Sequence, residues 1–222
     1  MKLGVLFSGG KDSTYAALLA KRADHDLVCF LSIESENQDS FMFHTPTINL
    51  AVRQAELCGV PFLSKITKGE KEKELEDLKD LIEEAVAEYN IEGIVTGAVE
   101  SVYQASRVQK ICNELDIECF NPLWQKDQIE LLEDLIKNDF KIIVSAVAGY
   151  PLDDKWVGRV IDNKFIEEII QLNKKFDLNP AGEGGEFETL VVNCPLFFGE
   201  LEIDDIKVSG EGNSYRGEVE LK

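Results

Sequence analysis

The sequence predicts an α/β fold, a doubly wound parallel sheet, followed by a smaller unit of α+β type. Over residues 1–147, apolar runs of strand length alternate with amphipathic stretches of helix length, as repeated βα units require. Near the start of the chain, a strand leads through two glycines directly into a helix. After Val147, Ala148-Gly149-Tyr150-Pro151 breaks the alternation. We therefore expect two domains, 1–147 and 148–222.

The elements of the first domain follow from apolar periodicity and from residues that begin or end helices. Pro46 suits the first turn of a helix, and Gly59 ends that helix. Leu75, Leu78 and Ile82 lie on one face of a charged helix. Strands are expected at 2–7, 27–33, 61–67, 91–97, 117–120 and 140–147, and helices at 12–22, 46–58, 70–89, 101–115 and 126–137.

The second domain is expected to mix short helices with strands. Helices are predicted near 153–156 and 162–176, and strands at 187–192 and near 200–208 and 215–221. A glycine-rich loop precedes the first of these strands. The alternating βα pattern is absent here, so the domain is predicted to be of the α+β type.

Composition limits the classes of partner. The chain has 222 residues, with 42 acidic and 23 basic side chains and a net charge of −19. Nucleic-acid binders usually carry a basic face, so a tRNA substrate is disfavoured and a cationic partner or substrate is favoured. No apolar run of about 18 residues occurs, so no membrane-spanning helix is expected. Because a strand begins at Lys2, leaving no room for a signal peptide, we expect a cytoplasmic protein.

The five cysteines form no Cys-x-x-Cys pair, and the chain has only two histidines. This pattern does not predict a structural zinc site, and it favours core packing of all five thiols. The sequence leaves open whether the protein forms a homo-oligomer.

Residues 8–13 carry the chemistry of an anion site. A helix that starts directly after a glycine turn presents unpaired N–H groups and the positive end of its dipole. Lys11 adds a charge for phosphate oxygens, and Asp12 is a candidate ligand for Mg²⁺ together with ATP phosphates. The candidate ATP-binding residues are Ser8, Gly9, Gly10, Lys11, Asp12 and Ser13. The plainer alternative is a strand–turn–helix junction without function.

The loop resembles the pyrophosphate loop of the N-type ATP pyrophosphatases, which have a HUP-like fold and the signature Ser-Gly-Gly-x-Asp-Ser. All positions of that signature match here, whereas the Gly-x-x-x-x-Gly-Lys spacing of a Walker A loop is absent. The resemblance implies cleavage of ATP between its α and β phosphates, with Lys11 and Asp12 in catalytic roles.

A second dense motif lies at 182–189, Gly-Glu-Gly-Gly-Glu-Phe-Glu-Thr. In a strand, Glu186 and Glu188 would share one face. Glu183, Glu186 and Glu188 are the candidate catalytic carboxylates of this motif. An acidic surface turn is the plainer interpretation of the motif when it is taken alone.

With these motifs, and with 42–46, 97–107 and 122–124, the chain resembles the diphthine–ammonia ligase family over essentially its whole length. Longer eukaryotic members carry C-terminal domains, so a minimal, archaeal-type member is implied. The resemblance implies amidation of diphthine on translation elongation factor 2, with ATP and ammonium consumed and AMP and pyrophosphate released through an acyl-adenylate. Diphthine carries a trimethylammonium group beside its carboxylate. The implied substrate-binding residues are His44, Tyr103, Gln104, Arg107, Trp124, Gly184, Gly185 and Phe187.

Two alternatives stay open. One is another ATP pyrophosphatase that adenylates a small carboxylic acid or a tRNA base, although the acidic charge and the missing cysteine pairs disfavour tRNA. The other is a nucleotide sensor without turnover, which the presence of Lys11, Asp12 and the glutamates disfavours.

Overall fold

The computed structural model describes residues 1–35, 48–67 and 73–222. The chain divides into two compact units, Met1–Trp124 and Gln125–Lys222. The elements of the first unit are β1 (Lys2–Leu6), α1 (Lys11–Arg22), β2 (Asp26–Ser35), α2 (Ile48–Cys58), β3 (Phe62–Thr67), α3 (Lys73–Tyr89), β4 (Gly93–Val95), α4 (Val102–Glu114) and β5 (Glu118–Phe120). Each of these elements overlaps its prediction from the sequence.

The first unit holds a five-stranded parallel sheet in the order β3-β2-β1-β4-β5. The order runs outward from β1 to β3 and then resumes on the other side of β1 with β4. The sheet therefore has a topological switch point between β1 and β4, where ligands bind in such folds. The doubly wound α/β fold predicted from the sequence is confirmed.

Apolar residues of β2, α3 and α4 form the core on one side of this sheet. The periodic stripe of α3 is buried here. Most charged residues of α3 are exposed or half-buried, whereas Glu74 is buried. The cluster includes Cys29, Leu31, Ile33, Leu78, Leu81, Ile82, Ala85, Val108, Ile111 and Cys112. This packing fixes β4 and α4, which carry the segment after Gly97.

The second unit contains α5 (Gln128–Lys137), β6 (Lys141–Ala148), a 3₁₀ turn (Asp154–Trp156), α6 (Asn163–Phe176), β7 (Phe187–Asn193), β8 (Ile203–Glu211) and β9 (Ser214–Leu221). Its strands form a four-stranded sheet in the order β7-β6-β9-β8, with antiparallel pairing throughout. A smaller α+β unit at the C-terminal end was predicted and is confirmed. Among the described residues, no helix has the length and apolar character needed to cross a bilayer.

One strand lies in a different sheet from the one predicted. The sequence placed 140–147 as the sixth strand of the parallel sheet, but β6 pairs antiparallel with both β7 and β9. Consequently the two units meet at residues 124 and 125, whereas the sequence placed the division after 147. The physical reason is that β6 is apolar on both faces. A continuous apolar run of this kind does not indicate whether the strand belongs to a parallel or an antiparallel sheet.

Candidate functional site

The candidate ATP-binding loop, residues 8–13, lies at the carboxyl end of β1, beside the switch point of the sheet. Ser8 N donates to Ser13 Oγ at 3.2 Å, and the two hydroxyl oxygens of these residues lie 3.1 Å apart. Gly10 is the N-cap residue of α1, and its carbonyl accepts from Thr14 Oγ1 at 2.8 Å. These short-range bonds close the loop on itself, so the first N–H groups of α1 are held in one orientation.

Gln54 of α2 fixes the loop from outside and was not singled out by the sequence. Its side chain is fully buried, and its Nε2 donates to Gly9 O at 2.9 Å. Gly9 has a φ of +77°, and a Cβ there would lie 2.1 Å from Gln54 Oε1. Gly9 is therefore required both for its left-handed backbone and for the close approach of Gln54. No motif links residues so far apart in the chain, so sequence inspection had no signal for this contact.

Lys11 and Asp12 form the charged part of the loop. Lys11 is 4 % exposed, and its Nζ lies 2.8 Å from Asp12 Oδ2. The other carboxylate oxygen, Asp12 Oδ1, is buried and has no hydrogen-bond partner among the residues that the structure describes. A buried carboxylate oxygen without a hydrogen-bond partner, next to a loop suited to phosphates, is a suitable ligand for a hard divalent cation.

The segment after β4 closes on the same loop. A Cβ at Gly97 would lie 2.7 Å from Asp12 C and from Ser13 N, so glycine allows the backbones of the two segments to touch. Ser101 caps α4 by accepting from Gln104 N at 3.3 Å. The sequence predicted that these two loops meet, and the Gly97 contact confirms it.

The predicted substrate-binding residues of α4 lie within its first two turns. The guanidinium carbon of Arg107 lies 3.4 Å from the ring centroid of Tyr103, and Arg107 Nη1 donates to Tyr103 O at 3.5 Å. The stacking holds the Arg107 head against an aromatic face while leaving the residue half-buried. Gln104 is half-buried beside them, and Trp124 is 36 % exposed.

His44 and the 42–46 motif lie outside the described residues, as does most of the 34–45 loop that was expected to join this crevice. Their predicted contact with the nucleotide or substrate stays a prediction.

In the second unit, the glycine-rich loop is built around Glu186. Its Oε1 accepts from Asn179 N and from Asn179 Nδ2, each at 2.9 Å, and its Oε2 accepts from Gly184 N at 2.9 Å. Gln128 supports the loop from α5, because its Oε1 accepts from Ala181 N at 2.9 Å. Both Glu186 oxygens are therefore engaged in shaping the loop.

The other predicted residues of this motif differ in burial. Phe187 is 5 % exposed, and its ring centroid lies 5.7 Å from that of Phe165 on α6. Glu183 and Glu188 are half-buried, whereas Gly184 and Gly185 are exposed. Gly185 has a φ of +81° with open space around its missing Cβ. The motif thus places one aromatic ring in the core and two glutamates near the surface.

Core packing was predicted for all five cysteines; Cys29, Cys112 and Cys194 are buried, whereas Cys58 and Cys119 are only half-buried. Burial raises the pKa of the Cys29 thiol to about 12 and that of Cys194 to about 11. A hydrogen bond between Cys112 and Cys119 raises the pKa of Cys112 and lowers that of Cys119. Since the thiolate is the nucleophilic form, the raised pKa values favour the neutral thiol at Cys29 and Cys194, which suits packing. Across the described ranges, no group of three or more His, Cys, Asp and Glu side chains is arranged to hold a metal ion.

A doubly wound sheet with a glycine-rich loop and a helix N-terminus at its switch point is the arrangement of a nucleotide-binding α/β protein. Two family models divide the chain nearly where its compact units divide. The diphthamide synthase N-terminal domain matches residues 1–119, and the diphthamide synthase C-terminal domain matches residues 127–220. The chain belongs to the diphthamide synthase family.

Its curated relatives carry a matching name. A protein of Schizosaccharomyces pombe named diphthine–ammonia ligase is 33 % identical over 94 % of this chain, which spans 37 % of that protein's length. A bovine protein of the same name is 32 % identical over 94 % of this chain and 85 % of its own length. The chain therefore spans little more than a third of the yeast relative but most of the bovine one.

A solved structure described as a predicted subunit of a tRNA methyltransferase from Methanocaldococcus jannaschii is also similar. It is 20 % identical with a TM-score of 0.47, covering 88 % of this chain and 98 % of that one. The similarity is too low to bear on function.

Proposed function

We propose that the protein is an AMP-forming ligase that amidates diphthine on translation elongation factor 2. ATP and ammonium are the other substrates, and diphthamide, AMP and pyrophosphate are the products. The observation that carries the proposal is the loop of residues 8–13 at the switch point of the sheet, in a chain of the diphthamide synthase family. The cytoplasmic location expected from the sequence agrees with a substrate that works in translation.

The loop supplies what ATP cleavage between the α and β phosphates requires. The N–H groups at the start of α1 and the Lys11 ammonium group are proposed to bind the phosphates that leave as pyrophosphate. Asp12 Oδ1 is the group that would hold Mg²⁺, which supplies additional charge neutralisation when bound. Together these groups stabilise negative charge where it develops during the reaction.

The proposed reaction has two steps, and each forms one bond and breaks another. A carboxylate oxygen of diphthine attacks the α phosphorus of ATP, and the bond from that phosphorus to pyrophosphate breaks, which gives an acyl-adenylate. Ammonium first loses a proton to a nearby base to give ammonia, which attacks the acyl carbon. AMP leaves with the bridging oxygen, and the nitrogen loses a second proton to give the amide. The two candidates in the motif for the role of proton acceptor are Glu183 and Glu188, because both Glu186 oxygens already accept hydrogen bonds from the loop.

The test is AMP formation from ATP labelled in its α phosphate. Elongation factor 2 that carries diphthine is supplied with and without ammonium, and factor that already carries diphthamide is the matched control. The proposal expects AMP only when diphthine and ammonium are both present. AMP that forms without the factor would instead point to a small carboxylic acid as substrate, and AMP that requires tRNA would point to tRNA modification. ATP binding with no AMP under any of these conditions would favour a sensor.

A further inference from the structure

A small hollow lies on the sheet of the second unit, across three neighbouring strands. On β6 its lining includes Ala146 and Ala148, on β7 Glu188, and on β9 Ser214 and Arg216. The neighbouring residues Val147, Gly185, Phe187 and Tyr215 complete the lining. Arg216 belongs to none of the sequence motifs.

The strand register explains the shape of the hollow. Ala146 pairs with Glu188 on one side and with Arg216 on the other, so the three residues form one row across the sheet. Strands lie about 4.8 Å apart, so the backbones of Glu188 and Arg216 are about 10 Å apart. The middle position holds only a methyl group. Phe187, the next residue along β7, packs on Phe165 in the core, so alternation places the Glu188 row on the opposite face.

The two charges in this row are close without being tightly bound. Arg216 Nη2 lies 3.6 Å from Glu188 Oε1, which is longer than a hydrogen bond. The Arg216 side chain is 52 % exposed and that of Glu188 is 28 % exposed. Ion pairs that are open to water are weakened by solvent screening, so a ligand with its own charges can compete for both groups. By contrast, Lys207 and Glu220 pair across β8 and β9 of the same sheet in direct hydrogen-bond contact.

The Glu188 carboxylate and the Arg216 guanidinium border one alanine-lined floor, with their backbones on opposite sides of β6. Together they present an anion and a cation to a small zwitterion of the opposite polarity. We propose, on the basis of the function proposed above, that this hollow binds the end of the diphthine side chain, a quaternary ammonium group with an adjacent carboxylate. Glu188 faces the ammonium group, and the methyl groups of Ala146 and Ala148 contact its N-methyl groups. Arg216 binds the carboxylate, whose charge disappears when the amide forms. The hollow thus distinguishes substrate from product, and Glu183 is left as the proton acceptor.

The experiment uses the full chain labelled with ¹⁵N, without ATP and without elongation factor. Glycine betaine is the zwitterionic probe, and its amide is the matched probe that keeps the quaternary ammonium but lacks the carboxylate. We expect saturable shifts of the Ala146, Glu188 and Arg216 amide signals with glycine betaine. The amide should bind at least about tenfold more weakly, because Arg216 has no anion to bind.

Variants separate this subsite from general charge effects. Arg216→Gln should remove the preference for glycine betaine over its amide, and Glu188→Gln should weaken both probes. Lys207→Gln and Glu220→Gln are the matched controls from the neighbouring cross-strand pair, and they should change neither affinity. Absence of saturable shifts, or an unchanged preference in Arg216→Gln, would overturn the subsite. Because neither ATP nor the factor is present, betaine binding without diphthine-dependent AMP formation would reject the proposed function alone, and the reverse result would reject the subsite alone.

Discussion

Asp12 is the residue on which the proposed chemistry of the first unit depends most. One of its carboxylate oxygens pairs with Lys11, and the other is buried without a hydrogen-bond partner among the described residues. The sequence motif identified Asp12, but only the structure distinguishes its two oxygens. Asp12 Oδ2 therefore forms the ion pair with Lys11, and Oδ1 is the oxygen proposed to bind a cation.

Asp12→Asn should abolish most turnover while leaving the fold intact. The amide keeps the shape of the side chain but removes the charge that holds the cation, so pyrophosphate release should fall on the order of 10²-fold or more. Asp116→Asn, at an exposed turn after α4, is the matched control and should leave the rate unchanged. Pyrophosphate release near the normal rate in Asp12→Asn would contradict the assigned role.

Gly9→Ala tests whether the loop needs the close approach of Gln54. The Cβ of an alanine at position 9 would lie 2.1 Å from Gln54 Oε1, so the loop or α2 must move. Gly212→Ala is the control, since Gly212 also has a positive φ, of +63°, but has open space around it. The Kd for ATP, measured by calorimetry, should rise at least about tenfold in Gly9→Ala and stay unchanged in Gly212→Ala. Equal effects in both variants would mean that backbone strain alone is at work.

Gln54→Leu tests the buried hydrogen bond directly. It removes the donor to Gly9 O, which should lower the free energy of unfolding by about 1–3 kcal/mol because a buried carbonyl loses its partner. Gln109→Leu, on the exposed face of α4, should change it by less than about 0.5 kcal/mol. Urea denaturation measures both values, and a Gln54→Leu protein as stable as the control would refute the role given to this bond.

At the scale of elements, Glu186 makes three of the side-chain hydrogen bonds that shape the loop between α6 and β7. Glu186→Gln keeps the size of the residue but places an amide where two acceptor oxygens now receive three hydrogen bonds. We expect faster hydrogen exchange at the Gly184 and Asn179 amides, since one of the donors is left without an acceptor. Glu167→Gln, exposed on α6, is the control. Unchanged exchange at Gly184 would show that Glu186 does not hold the loop.

Element types were predictable from the sequence because apolar periodicity is a local property. The pairing partner of a strand is not a local property, and β6 shows that it could not be predicted from periodicity alone. Its buried pattern is compatible with either sheet, and its pairing with β7 and β9 joins segments that lie far along the chain. The same limit applies to side chains. The motif at 8–13 is contiguous and was visible, whereas Gln54 and Arg216 reach their sites only through tertiary structure.

At the scale of the whole molecule, two units each carry one part of the proposed chemistry. The first holds the loop suited to ATP phosphates, and the second holds the glutamate-rich loop and the charged hollow. The net charge of −19 favours a cationic group on the substrate over a polyanion such as tRNA. Family membership then narrows the proposed substrate to diphthine.

The mass of the modified histidine on elongation factor 2 tests the central claim most directly. The factor carrying diphthine is incubated with the protein, ATP and ammonium, and the peptide that contains the modified residue is measured by high-resolution mass spectrometry. With unlabelled ammonium, conversion of the carboxylic acid to an amide lowers the mass by about one unit. In a separate control reaction, ¹⁵N-labelled ammonium should give an amide about one unit heavier than the unlabelled amide. We predict that this change occurs with the wild-type protein and not with Asp12→Asn. A peptide of unchanged mass, with AMP accumulating in the same reaction, would contradict the account.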